Sequence, residues 1–125
     1  MTTKVKVQFE YIMNCSPKVL YNRLSSASGL AEWFADDVRV KGKQYTFIWD
    51  GAEQVAEKSL SRENQLVRFN WIDEDEMYIE FKIIRQELTG DVSLLITDFT
   101  EEGEEKETED LWTTQITDLK HVLGS

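Results

Sequence analysis

Residues 38–72 read VRVKGKQYTFIWDGAEQVAEKSLSRENQLVRFNWI, a stretch in which apolar and polar positions alternate between turn signals. Phe47 and Trp49 share one face of such an alternation, and the pair Asp50-Gly51 that follows is typical of a two-residue β-hairpin. In a half-buried strand, successive side chains point to opposite faces of the sheet. The stretch therefore predicts antiparallel strands joined by tight turns.

The same alternation continues to residue 100. It predicts strands at residues 53–61, 65–72, 77–87 and 92–100, separated by short polar segments. Connections this short favour antiparallel neighbours and hence a meander. Residues 5–11 alternate in the same way and predict a first strand. Because helical patterns follow it in sequence, this strand is expected to pair with the last strand of the meander.

Two short helices are predicted between the first strand and the meander. The serine–proline pair at residues 16–17 is typical of a helix start, and apolar residues then repeat at helical spacing to about residue 27. Ser28 is the predicted N-cap of the second helix. Its apolar stripe includes Trp33 and Phe34, and it is predicted to stop at the acidic pair that precedes the meander.

A closing helix is predicted over residues 108–122, with Trp112, Ile116 and Leu119 on one apolar face. The mostly acidic segment from Glu104 to Asp110 lies toward its start, where the helix dipole favours negative charge. At ~1.5 Å per residue this helix is about 22 Å long, whereas six or seven strands spaced ~4.8 Å apart span about 24–29 Å. The helix is therefore expected to cover most of the sheet.

The order of these elements predicts an α+β fold. It is expected to consist of a curved antiparallel sheet of about six or seven strands wrapped around the C-terminal helix, with two short helices after strand one. The chain has 125 residues and contains no internal repeat or Gly/Ser-rich linker. A single domain over residues 1–125 is therefore expected.

Composition excludes several classes of function. The chain has 14 Lys and Arg against 24 Asp and Glu, a formal net charge of −10, which argues against nucleic acid as a partner. One cysteine and one histidine rule out an internal disulfide and a cysteine-rich zinc site. No apolar run approaches the ~20 residues that span a bilayer, and the start lacks the apolar core of a signal peptide, so a cytoplasmic location without membrane insertion is expected.

Several segments together resemble the START-like superfamily, also called SRPBCC, whose fold is the helix-grip. The resemblance lies in Ser16-Pro17, in Gly29 to Phe34 (GLAEWF), in Val67 to Trp71 (VRFNW) and in the ending from Leu111 to Gly124. Among its branches, the chain is most similar to bacterial relatives of the C-terminal domain of the activator of the heat-shock-90 ATPase. The resemblance covers essentially the whole chain. It implies a hydrophobic cavity between the sheet and the closing helix.

Aromatic side chains of the strands and helices are expected to lie on the concave side of the sheet, where they either line a cavity or fill it. Trp33 and Phe34 are candidate gate residues, because the second short helix is expected to cover one end. The candidate ligand-binding residues are Trp33, Phe34, Phe47, Trp49, Phe69, Trp71, Phe81, Leu94, Trp112 and Ile116. Any ligand is expected to be small and mostly apolar.

Other candidates are assigned structural roles. The acidic residues 73–76, together with Asp98, Glu101, Glu102, Glu104 and Glu105, lack the oxygen spacing and central glycine of a calcium loop, so they are interpreted as a solvated turn and a helix start. Cys15 and His121 have no neighbouring partner in sequence for catalysis. Arginines 62, 68 and 85 are candidates to hold a carboxylate at a cavity mouth, but alternation directs Arg68 outward. No catalytic residue, metal site or cofactor is expected.

Three hypotheses on function follow from the residues and the resemblance. The first is a non-enzymatic module that binds a small hydrophobic ligand. The second is a regulator that resembles the heat-shock-90 ATPase activator domain and meets a basic surface of a protein partner through its own acidic surface. The third, an enzyme like distant cyclases and hydrolases of the superfamily, needs a buried acid or base, and no convincing candidate is found.

Overall fold

A computed structural model describes residues 3–124, in which seven strands form one antiparallel sheet and three helices accompany it. The strand order in the sheet is β1-β7-β6-β5-β4-β3-β2. In chain order the elements are β1 (Lys4–Met13), α1 (Pro17–Ser25), α2 (Ala27–Leu30), β2 (Asp37–Lys41), β3 (Gln44–Trp49), β4 (Ala52–Arg62), β5 (Leu66–Trp71), β6 (Tyr78–Arg85), β7 (Val92–Glu101) and α3 (Glu105–Leu123). This arrangement confirms the predicted α+β helix-grip fold.

The first and last strands pair as expected. β1 runs antiparallel to β7 along its whole length, with Val5 opposite Thr100 and Met13 opposite Val92. The strands from β2 to β7 each pair with their neighbours in sequence, which confirms the predicted meander. The first strand of the chain therefore pairs with the last strand, and the rest of the meander lies between them in sequence.

The core lies between the inner face of the sheet and the helices. Alternate residues of the strands point inward, so that Phe47, Phe69 and Phe81 are almost completely buried. From α3, Trp112 and Ile116 are buried together with Leu119 of the same face. These contacts hold α3 against the concave side, as its apolar stripe predicted.

The closing helix is longer than the predicted span of residues 108–122. α3 begins at Glu105 and has 19 residues, which corresponds to about 28 Å at ~1.5 Å per residue. Glu105 and Glu107 lie in its first turn, where the positive end of the helix dipole stabilises carboxylates. The acidic segment is thus part of the helix. At the other end, Gly124 takes the left-handed conformation with φ of 73° and ends the helix.

The second short helix differs from its prediction in its cap and its length. The N-cap is Ser26, whose hydroxyl accepts a hydrogen bond from the Gly29 amide at 3.0 Å, so the prediction of Ser28 was wrong. α2 ends at Leu30, because the Leu30 carbonyl accepts from the amides of Trp33, Phe34 and Ala35 and the chain tightens into a turn. Trp33 and Phe34 therefore lie in this turn and not on a helix.

Within residues 3–124, none of the helices combines the length and the apolar character that a membrane crossing requires.

Candidate functional site

A cleft of about 370 Å³ opens between α3 and the inner face of the sheet. We call it the helix–sheet cleft. Its lining residues come from the turn after α2, from β3, β4, β6 and β7, and from α3: Phe34, Trp49, Gln54, Ile79, Asp98, Leu111, Trp112 and Gln115. Of these, Leu111 is 62% exposed and lies on α3, whereas Phe34, Ile79 and Trp112 are buried and present little surface.

The aromatic walls of the helix–sheet cleft are held in place by ring contacts and hydrogen bonds. Phe34 stacks on Trp112 with ring centroids 5.8 Å apart, and it meets Trp49 edge to face at 5.2 Å. The Trp49 indole donates a hydrogen bond to the Phe34 carbonyl at 2.7 Å, and Gln115 Nε2 donates to the same oxygen at 3.4 Å. The walls are therefore fixed before any ligand enters.

Asp98 supplies a carboxylate to the cleft. It follows Leu94 and Ile96 at every second position of β7, so all three side chains share the inner face of the sheet. Its Oδ2 accepts a hydrogen bond from Trp112 Nε1 at 2.9 Å, and its Oδ1 accepts from the Phe99 amide at 2.7 Å. Each carboxylate oxygen has two lone pairs, so both can accept a further hydrogen bond.

Partial burial makes the Asp98 carboxylate unusual among the acids of this chain. Desolvation raises the pKa of Asp98, and this effect outweighs the hydrogen bonds from Trp112 and Phe99 and the charge of Lys4, which lower the pKa. Glu74 adds a smaller effect that also raises it. The ion pairs found within residues 3–124 do not include Asp98. The cleft therefore contains an anion that water reaches poorly.

A second, larger cleft of about 620 Å³ adjoins the first. We call it the loop–helix cleft. It lies between the turn after α2 and the last turns of α3, and its lining residues are Ala31, Glu32, Trp33, Phe34, Ala35, Asp36, Trp49, Gln115, Asp118, His121 and Val122. The two clefts share Phe34, Trp49 and Gln115, so they form one continuous surface. Three carboxylates make the loop–helix cleft the more polar of the two.

The predicted site residues separate into two groups. Trp33, Phe34, Trp49 and Trp112 line one or both clefts. Trp71 lines a smaller cleft of about 190 Å³ with Gln54 and the acidic turn after β5. The other five are at most 2% exposed and line none of these clefts: Phe47, Phe69, Phe81, Leu94 and Ile116. Contact of these five with a ligand stays a prediction.

Ring packing explains why these five residues lie in the core. Phe47 contacts Phe69 edge to face at 5.6 Å, and Phe81 contacts Trp112 in the same way at 5.9 Å. A buried aromatic side chain removes ~150–250 Å² from water, so several of them occupy the space that a larger cavity would need. The clefts described above consequently lie at the margin of the core.

The two candidate gate residues are held by specific contacts. Trp33 Nε1 donates a hydrogen bond to the Arg23 carbonyl at 2.8 Å, and the ring meets Phe81 at 5.7 Å. Phe34 is 4% exposed and lies between Trp49 and Trp112. Both rings border the loop–helix cleft, and movement of either as a gate stays a prediction.

Five residues that line the helix–sheet cleft were not predicted from the sequence as site residues: Gln54, Ile79, Asp98, Leu111 and Gln115. Asp98 was interpreted as part of the solvated acidic surface because other acids follow it in sequence. That interpretation is wrong, since the carboxylate lies on the inner face and donors from α3 and its own strand bind it. The alternation with Leu94 and Ile96 was the signal that indicated its position.

Other candidates have structural settings. Burial raises the pKa of the Cys15 thiol, which disfavours the reactive thiolate. Arg68 pairs with Glu80 at 2.6 Å and lies over the Tyr78 ring, which confirms its outward direction. Residues 3–124 contain no group of three or more His, Cys, Asp or Glu side chains placed to hold a metal ion. The prediction that the acidic clusters bind no divalent cation tightly stays a prediction.

Comparison with known proteins places the chain in a family. It is similar to a solution structure from Bacteroides fragilis, with 36% identity over 98% of this chain and 93% of that chain and a TM-score of 0.70. The Aha1 dimer from Colwellia psychrerythraea is 18% identical over 93% of both chains, with a TM-score of 0.76. A protein of unknown function from Staphylococcus aureus is 18% identical over 98% of this chain and 95% of that chain, with a TM-score of 0.74. These two likenesses show a shared fold alone. No curated protein matches the chain. A family model for the START-like superfamily domain matches residues 1–125, and the chain belongs to this superfamily.

Proposed function

We propose that the protein is a non-enzymatic binding module that holds a small, mostly apolar ligand in the helix–sheet cleft. The observation that carries this proposal is the pairing of fixed aromatic walls with an exposed apolar side chain, Leu111, at the rim. The cleft volume of about 370 Å³ lies at the lower end of the ~300–1,000 Å³ typical of small-molecule sites. A compact ligand fits this space better than a long lipid.

Burial of apolar surface supplies the driving force for such binding. A ligand in the cleft would cover Leu111 and the exposed part of Trp49, and each Å² of apolar surface removed from water contributes ~25 cal/mol. The walls need no rearrangement, because Phe34 and Trp49 are already held by their hydrogen bonds and ring contacts. A preformed site loses little conformational entropy on binding.

An enzymatic role receives less support from the same geometry. Acid–base catalysis needs a group with a partner that orients it and a substrate atom within reach. Asp98 is oriented by Trp112, but among residues 3–124 no histidine, cysteine, serine or lysine lines the helix–sheet cleft and could act with it. The proposal therefore assigns no catalytic residue and no cofactor.

The proposal is tested by binding of an apolar ligand panel to the purified protein. Fatty acids, sterols and aromatic polyketides are titrated while tryptophan emission and melting temperature are recorded, and native mass spectrometry detects a ligand that copurifies. We expect at least one compact member of the panel to shift both signals, because Trp49 and Trp112 border the site. Unchanged emission and melting temperature at high micromolar concentration would overturn the proposal.

Two leucine variants locate the binding. Leu111→Gln removes apolar surface at the rim of the cleft without adding a charge and is expected to weaken binding roughly tenfold or more, since a buried leucine contributes about 1.5–3 kcal/mol. Leu88→Gln is the matched control, because Leu88 is fully exposed in the turn between β6 and β7. Equal effects of the two substitutions would place the ligand elsewhere.

A second candidate function is binding of a protein partner with a basic surface. The observation that favours it is the exposed, acidic start of α3, which carries Glu105, Glu107, Glu109 and Asp110, the last two paired with Lys106. A complex of this kind forms by electrostatic attraction and weakens as salt rises, whereas an apolar ligand is held largely independently of salt. Salt dependence therefore distinguishes the two candidate functions.

A further inference from the structure

The charge distribution of the helix–sheet cleft is one-sided. Among residues 3–124, Asp98 is the only charged residue that lines it. The neighbouring loop–helix cleft adds the carboxylates of Asp36 and Asp118, together with His121 and with Glu32, which pairs with Arg23 at 2.9 Å. Asp98 would repel a ligand that carries a carboxylate or phosphate and attract a cation, and Lys4 offsets part of this charge.

The position of Asp98 favours binding of a cation in the helix–sheet cleft. Its two oxygens are held by Trp112 Nε1 and the Phe99 amide, so the carboxylate cannot turn away from the cleft without losing both hydrogen bonds. A lone pair on each oxygen remains for a ligand. A hydrogen bond between an ammonium group and a carboxylate is charge-assisted and about twice as strong as a neutral one.

The apolar walls favour a ligand with an apolar body. Trp49 and Leu111 border the cleft together with Asp98, and part of their surface remains exposed for a ligand to cover. Low access of water at Asp98 strengthens an ion pair formed there.

We infer that the helix–sheet cleft selects a ligand that carries an organic ammonium group on an apolar body. The ammonium group donates to Asp98, and the apolar body lies along Trp49 and Leu111. This inference rests on the proposed function, because it concerns the same cleft and adds the charge of the ligand. The net charge of −10 further attracts cations toward the protein.

The test compares three probes that share a phenyl group and differ in charge: 2-phenylethylammonium, the neutral 2-phenylethanol and the anionic 3-phenylpropanoate. Binding is measured by isothermal titration at about pH 8, well above the ordinary range of aspartate titration. We expect the ammonium probe to bind about tenfold or more tightly than the alcohol, and the anion to bind weakest. Tightest binding by the alcohol or the anion would overturn the inference.

Substitution of Asp98 tests whether this residue provides the preference. Asp98→Asn keeps an acceptor for the Trp112 indole and is expected to reduce the preference for ammonium over alcohol to threefold or less, with binding of the alcohol retained. Glu74→Gln is the charge-matched control, because Glu74 is an exposed acid outside this cleft that acts on Asp98 only through its charge. An unchanged preference in Asp98→Asn would overturn the assignment.

A measurement on the unmodified protein covers the case in which Asp98→Asn does not fold. The preference is expected to disappear as acidification protonates Asp98, and to do so at a higher pH than for an exposed aspartate. Lys4 from β1 and Glu74 from the turn after β5 are the charged groups that act on Asp98, and Trp112 from α3 is neutral. Repeating the measurement with Glu74→Gln removes the carboxylate whose charge acts on Asp98. A preference that persists when Asp98 is protonated would overturn the inference.

The outcomes separate the inference from the proposed function. Equal binding of the ammonium probe and the alcohol overturns the cation preference and leaves the apolar binding site standing. If none of the three probes binds, the cation preference is overturned, and the wider apolar panel then decides the proposed function on its own.

Discussion

Replacement of Trp112 tests how α3 is held against the sheet. The Trp112 side chain is 3% exposed, its ring lies 5.8 Å from Phe34 and 5.9 Å from Phe81, and its indole donates to Asp98. Truncation of a buried aromatic residue to alanine costs about 3–5 kcal/mol. Trp112→Ala also removes the hydrogen-bond donor to the partly buried Asp98 carboxylate, so its cost in free energy of unfolding is expected near the upper end of that range. This is a large part of the ~5–15 kcal/mol that stabilises a typical domain.

The measurement is urea unfolding followed by far-ultraviolet circular dichroism, because the substitution removes one of the four tryptophans that report by fluorescence. Trp112→Phe is the control: it keeps most of the ring contacts and removes the indole donor, and its expected cost is about 1–3 kcal/mol. A loss below about 1 kcal/mol for Trp112→Ala would refute the packing of α3 described here.

Three further predictions concern stability. Desolvation raises the native pKa of Asp98, so this group is expected to cost the wild type stability as pH rises from its unfolded pKa through its native pKa. Asp98→Asn removes this cost, so the free energy of unfolding of the variant relative to the wild type is expected to be higher at about pH 7 than at about pH 3, as measured by urea unfolding. Tyr45→Phe removes the hydrogen bond that the buried Tyr45 hydroxyl donates to the Ser25 carbonyl at 2.9 Å and is expected to cost about 1–3 kcal/mol, seen as a lower melting temperature. Gly29→Ala would force a Cβ against the Asn22 carbonyl and is expected to lower the free energy of unfolding by about 1–3 kcal/mol or more, seen as a lower urea midpoint. An unchanged midpoint would contradict the close approach of α1 and α2.

The sheet could be predicted from the sequence because its strands are half-buried. Period-2 alternation in residues 5–11 and 38–100 indicated which side chains face inward, and short turns left few ways to connect the strands. The pairing of β1 with β7 could be predicted because helices follow β1 in sequence, so β1 needed a strand of the meander as its partner. Local patterns and the requirement to satisfy backbone hydrogen bonds together determine this part of the fold.

The helix ends could not be predicted to the residue, for electrostatic and steric reasons. The start of α3 carries Glu105 and Glu107, and acidic side chains are equally compatible with a solvated loop and a first helical turn. At α2, Ser26 and Ser28 are both suitable caps by type. With Ser26 as the cap, Gly29 lies in close contact with Asn22 and Arg23. This contact depends on how α1 and α2 pack, which the sequence pattern does not indicate.

The site was harder to predict because it depends on tertiary placement. Alternation indicated that Asp98 shares a face with Ile96, but its neighbours in sequence include Glu101 and Glu102, which suggested an exposed acidic surface. Only the position of α3 brings Trp112 onto the carboxylate and Leu111 to the rim of the same cleft. A pattern within one strand contains no information about which helix residue meets it.

The apolar side chains of the core and those of the helix–sheet cleft differ in how much of their surface remains in water. Phe47, Phe69 and Phe81 are almost fully buried, and they stabilise the fold because truncating any of them leaves a cavity. Leu111 and Trp49 stabilise the fold less, since part of their surface remains in water. Under the proposed function, binding would depend on Leu111, Trp49 and Asp98. Substitution of Leu111 is then expected to weaken binding with little loss of stability, whereas substitution of Asp98 is expected to change both.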